Sequence, residues 1–183
     1  IRPFVTGIIA RNGKIDDETI KQLMNMQEDL HFGIGRKRKK SSIGLHDLEK
    51  ISFPLNYTTT TREHSFVPLN SESKITIDQI LTETEVGKNY GWVLGDSKNV
   101  PIIVDSENNT ISFPRIINSA VTTVTTKTKN MLVEVTSLDK DAAEDMLSVV
   151  TTILGMAGFE IMQLIISGKK NSTPKLNSRV IQY

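Results

Sequence analysis

Only two segments of this 183-residue chain carry sustained helical periodicity, whereas strand-like segments recur along most of its length. The first helix is predicted to begin at Asp16 and Asp17, which supply a cap and an acidic first turn, and to extend to about Leu30. The second is predicted to begin at Asp139 and to end before Gly158. With few helices among many strands, the chain is predicted to be a single α+β domain with mixed, mostly antiparallel sheets.

The predicted strands are rich in β-branched residues or alternate between apolar and polar positions. The clearest alternation is at Met131–Thr136, which places Glu134 and Thr136 on one face of the strand. Val121–Thr128 alternates valine and threonine and is also predicted to be a strand. A capping box at Thr76 predicts a short helix that ends near Gly87. The other predicted strands are Pro3–Arg11, Ser41–Leu48 with a final helical turn, Tyr57–Thr61, Ser65–Leu69, Val100–Val104, Thr110–Phe113 and Phe159–Ile166.

The composition limits the available chemistry. The 22 lysines and arginines nearly balance 21 acidic residues, so the net charge of +1 indicates no global attraction to nucleic acid or membrane. The strongly basic run is Arg36–Lys40, five consecutive cations. Because the chain has no cysteine, it can form no disulfide, cysteine-ligated zinc site or thiol nucleophile. Three dispersed histidines predict no metal site, and no apolar run is long enough to span a membrane.

Common catalytic motifs are missing from the sequence, including the phosphate-binding loop, the dinucleotide-binding glycines, the nucleophile elbow and the zinc-binding helix. Other features leave two interpretations open. Gln27 interrupts the apolar stripe of the first helix, and it either bonds buried backbone or lines a pocket. Glu134 and Thr136 either recognise a hydroxyl or face solvent. Pro114–Ser119 by itself is an ordinary loop, and His46 is predicted to make a core or capping hydrogen bond.

Five blocks of sequence occur in an order and at spacings that together form a known pattern: Arg2–Phe4, Leu23–His31, Arg36–Leu48, Phe66–Asn70 and Ser112–Asn118. The pattern resembles the editing domain of the archaeal/eukaryotic phenylalanyl-tRNA synthetase β subunit. The resemblance implies a three-layer β/β/α-like sandwich, with the editing domain over residues 1–170. It implies that residues 171–183 are an exit linker or edge strand toward the next module of a larger protein.

The resemblance also implies an activity. The aminoacylation site of a synthetase that accepts phenylalanine cannot strongly reject an isostere that adds one hydroxyl, so tyrosine is sometimes attached to the tRNA in error. The domain is then expected to hydrolyse the ester of Tyr-tRNA(Phe), with no cofactor of its own and with ATP and magnesium used elsewhere in the synthetase. The implied partners are the acceptor end of tRNA(Phe), the remainder of the β subunit and the α subunit of a heterotetramer in the cytoplasm, with no membrane.

Four residues match the family's pocket for the tyrosine side chain. A carboxylate-x-threonine pair and a serine before Phe-Pro correspond to Glu134, Thr136 and Ser112, and they are expected to bond the tyrosine hydroxyl. Ile103 matches an aliphatic wall of that pocket. Phenylalanine would leave these polar groups unpaired, so the correct product is rejected.

Four further residues match the family's positions near the scissile ester. Asn118, with Gln27, is expected to orient a water and polarise the ester carbonyl. Arg38 is expected to stabilise the developing oxyanion, while Glu28 orients Arg38 or the water. No covalent nucleophile is implied.

The chain departs from the family where tRNA is expected to bind. Leu69 matches an apolar residue that packs on the terminal adenosine, but Thr123 occupies the position of an expected lysine or arginine. The contact with the nucleotide is then either weaker or supplied by Arg115 or Lys127. The cations of the basic run other than Arg38 are expected either to face phosphate or to be solvated.

Two other functions remain open. One is a catalytically silent tRNA-binding or scaffold module of the same synthetase, consistent with the near-neutral charge and with Thr123. Salt-dependent tRNA binding without deacylation would favour it. The other is a peptide-binding domain that uses exposed strand edges and has no role with RNA.

Overall fold

The computed structural model describes residues 1–166 and 169–170, so the linker predicted over 171–183 lies outside the described residues. Short 3-10 turns at Leu48–Lys50, Gly91–Leu94 and Ala120–Thr122 lie between the main elements. The main elements in chain order are β1 (Phe4–Arg11), α1 (Asp17–Phe32), β2 (Ser41–Asp47), β3 (Asn56–Thr61), β4 (Ser65–Phe66), β5 (Ile75–Thr76), α2 (Ile77–Glu83), α3 (Glu85–Tyr90), β6 (Asn99–Val104), β7 (Thr110–Phe113), β8 (Ile117–Asn118), β9 (Met131–Ser137), α4 (Lys140–Met156), β10 (Glu160–Gln163), β11 (Ile165–Ile166) and β12 (Lys169–Lys170).

The first sheet has the strand order β10-β1-β9-β2, and each neighbouring pair is antiparallel. Helices α1 and α4 cover one of its faces. There Met131, Val133 and Val135 of β9 share an apolar core with Met146 and Val150 of α4. The alternation predicted for β9 therefore places its apolar residues toward the helices, and Glu134 and Thr136 face the other way.

The second sheet has the order β3-β6-β7-β8 and is also antiparallel. Helix α2 packs on it through a separate core that contains Ile77, Ile80, Ile102 and Phe113. This sheet lies against the face of the first sheet that the helices leave open. The molecule thus has three layers, the helices, the first sheet and the second sheet, and the predicted α+β class is confirmed.

The strand predicted at Val121–Thr128 is wrong. The segment begins in a 3-10 turn and continues as irregular backbone because its hydroxyls bond locally instead of leaving the backbone to pair. Thr123 Oγ1 donates to the carbonyl of Ala120 at 2.7 Å, and Thr128 Oγ1 accepts from Thr125 N at 3.0 Å. Thr128 Oγ1 also donates to Asp47 Oδ2 at 2.7 Å.

Two other predicted elements are shorter than expected. The helix that begins after Thr76 has the predicted capping box but divides in two at Thr84, whose backbone is extended and whose hydroxyl caps Gly87 N at 3.0 Å. The strand predicted at Ser65–Leu69 pairs only over its first two residues. Beyond them, Pro68 cannot donate to a ladder and forms an isolated bridge with Ser119.

The basic run forms a left-handed turn between α1 and β2. Arg36, Lys37 and Arg38 have φ angles of 49°, 53° and 63°. Each residue other than glycine in this conformation costs roughly 1–2 kcal/mol, so the surrounding structure must hold the turn in place. We refer to Arg36–Arg38 as the left-handed turn.

Arg2 is the residue that holds the left-handed turn. Its side chain is 1% exposed, and its Nη2 donates to the carbonyls of Arg38 and Lys39. Its Nη1 donates to Ser42 Oγ at 2.6 Å and to the carbonyl of Thr136 at 2.8 Å. Arg2 therefore joins the turn to β2 and β9, the two strands that carry much of the site described below.

Replacing Arg2 with alanine is expected to lower the free energy of unfolding by about 3 kcal/mol, because several buried oxygens lose their donor. Arg2→Lys is expected to recover only part of this loss, since lysine supplies a cation without the guanidinium fork. Chemical denaturation measures both effects. Arg11→Ala, at an exposed arginine of β1, is the matched control, and an Arg2→Ala variant as stable as this control would contradict the role of Arg2.

Candidate active site between the two sheets

A cavity of about 430 Å³ lies between α1, the edge of β2 and the second sheet. Cavities of a few hundred Å³ hold small molecules or single large side chains. Its walls are partly apolar, but polar side chains converge on it from five elements or their flanks. Those used below are Gln27, Glu28, His31, Arg38, Ser42, Ser112, Asn118 and Glu134, and the lining also contains Asn70, Arg115, Ser119, Thr122 and Thr123.

The outer edge of β2 forms one wall of the cavity. β2 pairs with β9 on one side only, so the N–H and C=O groups of Ile43 and Leu45 point away from the sheet. Gln27 Nε2 donates to the Ile43 carbonyl at 2.9 Å, and Asn118 Nδ2 donates to the Leu45 carbonyl at 3.3 Å. The two roles predicted for Gln27 from the sequence, bonding buried backbone and lining a pocket, therefore both occur.

His31 fixes the position of Glu28. His31 Nε2 lies 3.1 Å from both the backbone nitrogen and the carbonyl oxygen of Ile43. The tautomer with the proton on Nδ1 lets Nε2 accept from the Ile43 N–H and lets Nδ1 donate to a carboxylate. Nδ1 lies 3.3 Å from Glu28 Oε1. Burial lowers the pKa of His31, so the ring is neutral at physiological pH. Sequence reasoning did not select His31, although its position three residues after Glu28 on a helix was a usable signal.

Glu28 in turn holds Arg38. The distance between Glu28 Oε1 and Arg38 Nη2 is 2.7 Å. The hydrogen bond from His31, followed by the contact with Arg38, lowers the pKa of Glu28 to about 2, so this carboxylate is ionised. Arg38 Nη1 donates to the carbonyl of Ile116 at 2.8 Å, and the guanidinium lies 4.2 Å from the ring centroid of Tyr90. A fixed positive charge therefore lies at the cavity wall.

Glu134 lies at a buried end of the cavity. Ser112 Oγ is 3.4 Å from Glu134 Oε1 and 3.2 Å from Asn118 Oδ1, and its single proton can serve one of these acceptors at a time. Among the described residues, Glu134 Oε2 has no hydrogen-bond partner. Burial raises the pKa of Glu134 to about 7, an effect that Arg2 and Ser112 reduce but do not cancel. This carboxyl can accept or donate a hydrogen bond near neutral pH.

Most of the residues selected from the sequence meet at this cavity. Thr136 does not line it, because its hydroxyl lies 3.2 Å from both Arg2 Nη1 and Ser42 Oγ. Ile103 does not line it either, but it is paired with Ser112 and lies on the same face of the second sheet. The selected residues that do line the cavity are Gln27, Glu28, Arg38, Leu69, Ser112, Asn118, Thr123 and Glu134.

The structure groups Asn118 with Ser112 rather than with Arg38 and Glu28, which sequence spacing did not reveal. Asn118 bonds Ser112 directly, and within the described residues no hydrogen bond joins it to Arg38 or Glu28, although it is two residues from the Ile116 carbonyl that Arg38 bonds. Thr123 is exposed. Of its two expected substitutes, Arg115 lines the cavity and donates to the carbonyl of Val93 at 2.6 Å, whereas Lys127 does not line it.

Within residues 1–166 and 169–170, no group of three histidine, cysteine or acidic side chains is placed to hold a metal ion. No helix in the described part of the chain is long and apolar enough to cross a membrane.

The fold and the cavity together define a class, that of an α+β domain with a cavity between two antiparallel sheets, a cation in one part of the cavity wall and a buried carboxyl in another. The chain belongs to the B3/4 domain family, whose model matches residues 11–148.

The chain is also similar to longer proteins. The chain is 36% identical over its full length to the phenylalanine–tRNA ligase β subunit of Archaeoglobus fulgidus, and 41% identical over 88% of its length to that of Methanosphaera stadtmanae. It spans 34% and 29% of these relatives, or about a third of their length. The resemblance to this β subunit expected from the sequence is confirmed.

A solved structure is also similar. The crystal structure of an N-terminal fragment of the phenylalanyl-tRNA synthetase β subunit from Pyrococcus horikoshii matches with a TM-score of 0.88 and 32% identity. The match covers 97% of this chain and 52% of that one.

The raised pKa of Glu134 predicts a pH-dependent stability. Because the folded protein holds this proton more tightly than the unfolded chain, the free energy of unfolding should fall as the pH rises from about 4.5 to about 7. Glu134→Gln removes this titration, so the variant should gain stability relative to the wild type between pH 4.5 and 8, by on the order of 3 kcal/mol. Denaturation at both pH values measures the difference. Glu83→Gln, at an exposed glutamate, should show no such gain, and an equal response of the two variants would contradict the prediction.

Proposed function

We propose that this domain hydrolyses the ester of Tyr-tRNA(Phe), acting as the editing domain of a phenylalanyl-tRNA synthetase β subunit in the cytoplasm. The observation that carries the proposal is a cavity lined both by a buried carboxyl that can bond a hydroxyl, Glu134, and by a cation, Arg38. The chain's similarity to β subunits over its full length supports it.

In this proposal the tyrosine side chain enters the buried end of the cavity. Its hydroxyl bonds Glu134 and Ser112, which lie 3.4 Å apart. Phenylalanine would bury the same two groups without a partner, and that desolvation penalty rejects it. Thr136 supports the pocket indirectly through Arg2, and Ile103 packs beside Ser112.

The ester then lies near Arg38. A water oxygen adds to the ester carbonyl carbon, the bond from that carbon to the ribose oxygen breaks, and the ribose oxygen takes a proton from the water. Gln27 Nε2 donates to the Ile43 carbonyl, which leaves Gln27 Oε1 to accept a hydrogen bond from that water. Asn118 completes the orientation of the water. Arg38 stabilises the oxyanion, and Glu28 holds Arg38 in place.

The tRNA end is expected to lie at the mouth of the cavity. The terminal adenosine would pack on Leu69 and Thr123, both of which line the cavity. Exposed Arg36, Lys37 and Lys39 lie on or beside the left-handed turn and are available to phosphates. The remainder of the β subunit and an α subunit are the proposed protein partners, with ATP and magnesium used outside this domain.

Replacing Asn118 with alanine is expected to lower the rate of tyrosine release from Tyr-tRNA(Phe) by about a hundredfold or more, because the water and the carbonyl lose their orientation. Phenylalanine should be released slowly from Phe-tRNA(Phe) by both the wild type and the variant. The assay uses excess protein and labelled amino acid, and thermal unfolding checks the fold.

Asn56→Ala, at an exposed asparagine of β3, is the matched control and should release tyrosine at the wild-type rate. Retained hydrolysis in Asn118→Ala would remove Asn118 from the mechanism. Salt-dependent tRNA binding with no hydrolysis, in this chain and in the intact synthetase, would instead favour a silent RNA-binding module, a function consistent with Thr123.

A further inference from the structure

Phe32 is an exposed aromatic residue that the proposed chemistry does not use. It is the last residue of α1, it is 67% exposed, and it lies outside the cavity lining. A single exposed apolar residue needs no explanation by itself, so the surroundings of the ring decide what it does. Residues four apart on a helix lie on the same face, so Phe32 stands next to Glu28, a cavity residue whose side chain is 54% exposed. The ring therefore borders the mouth of the cavity.

Free cations lie beside the Phe32 ring. Lys37 Nζ is 5.5 Å from the ring centroid, and Arg36 is the exposed residue before it. Among the described residues, neither cation forms an ion pair or a side-chain hydrogen bond. We call Phe32, Arg36 and Lys37 the Phe32 patch.

The left-handed turn fixes the Phe32 patch relative to the cavity. The backbone N–H of Lys37 donates to the carbonyl of Phe32 at 3.2 Å, and that of Arg38 donates to the carbonyl of His31 at 3.0 Å. The turn is thus bonded to the end of α1, where Lys37 lies over the ring and Arg38 lines the cavity. One strained segment of backbone positions both groups, and strain of this kind is found at functional sites.

The chemistry of the Phe32 patch fits a single strand of nucleic acid. Every base has a π-face that can stack on an open aromatic ring, and the phosphates between bases bind cations. Of the two carboxylates one turn earlier on α1, Glu28 is paired with Arg38 and Asp29 is exposed, so the local charge still favours an anion. Lysine is depleted at the centre of protein interfaces, so a ring with a free lysine over it favours RNA as the partner over a protein surface.

We propose that the Phe32 patch binds the single-stranded acceptor end of the tRNA upstream of its terminal adenosine. One unpaired base stacks on Phe32, and the adjoining phosphates bind Arg36 and Lys37. This inference rests on the proposed function and extends the recognised part of the substrate from the terminal adenosine to at least one further nucleotide. The patch delivers the ester to the cavity and does not touch the reacting atoms.

Two substrates of different length separate this contact from the cavity. Tyr-tRNA(Phe) carries the whole acceptor end, whereas 3′-O-tyrosyl adenosine carries the terminal nucleoside and no phosphate. Phe32→Leu keeps apolar bulk without a ring, Phe32→Trp keeps an aromatic face, and Lys37→Gln removes one cation. Phe53→Leu and Lys50→Gln are the matched controls, because both residues are exposed and lie outside the cavity lining and the Phe32 patch.

Phe32→Leu is expected to lower kcat/KM for tyrosine release from Tyr-tRNA(Phe) about tenfold, through KM, and to leave the hydrolysis of tyrosyl adenosine unchanged. Phe32→Trp and both controls should keep the wild-type values. An unchanged kcat/KM in Phe32→Leu overturns the proposal. An equal loss with both substrates also overturns it, because the ring would then support the cavity rather than bind RNA.

Binding of uncharged tRNA(Phe) tests the cations. For Lys37→Gln, the slope of the logarithm of affinity against the logarithm of salt concentration should be smaller in magnitude by about 0.7, the value for one phosphate contact with a single strand. Lys50→Gln should keep the wild-type slope. An equal slope for Lys37→Gln and the wild type counts against the contact with phosphate.

The same binding measurement separates this inference from the proposed function, because it needs no hydrolysis. Binding of tRNA(Phe) that weakens in Phe32→Leu, with no hydrolysis of either substrate by the wild type, supports the Phe32 patch and counts against hydrolysis. Hydrolysis of Tyr-tRNA(Phe) that Phe32→Leu leaves as fast as in the wild type supports the proposed function and overturns the patch. In the intact synthetase, a Phe32→Leu variant that loses subunit assembly but keeps its affinity for tRNA(Phe) would assign the ring to a protein interface and overturn the proposal.

Discussion

The guanidinium of Arg2 is the interaction on which the rest of the site depends. Among the described residues Arg2 forms no ion pair, and a buried cation is costly unless polar groups bond it. Here carbonyl and hydroxyl groups of β2, β9 and the left-handed turn accept hydrogen bonds from its two terminal nitrogens. The turn places three residues in an unfavourable backbone conformation. Because Arg2 secures the carbonyl of Arg38, the Arg38 side chain can span from α1 to the second sheet and line the cavity.

Side chains that line the cavity also satisfy the unpaired backbone groups of the edge strand β2. The outward N–H and C=O groups of β2 would be free to pair with another strand if nothing covered them. Side chains of Gln27, His31 and Asn118 bond the backbone of Ile43 and Leu45 instead. These three polar residues of the cavity lining therefore also complete the sheet edge, which accounts for two amides and an imidazole at this position.

The sequence predicted much of the fold because the decisive signals were local. Alternation along β9 placed Glu134 and Thr136 on one face, and both long helices begin at the predicted aspartates. The valine–threonine pattern of 121–128 failed because hydrogen bonds of threonine hydroxyls are not visible in periodicity.

The site was less predictable, because contacts distant in sequence decide it. Alternation could not show that Arg2, 134 residues away, binds Thr136 and keeps it out of the cavity. Under the proposed function, the charged pair of Arg38 and the half-exposed Glu28 serves the ester, which water must reach. Glu134 is almost fully buried, and there a missing hydroxyl costs the most, because the carboxyl cannot turn to solvent instead.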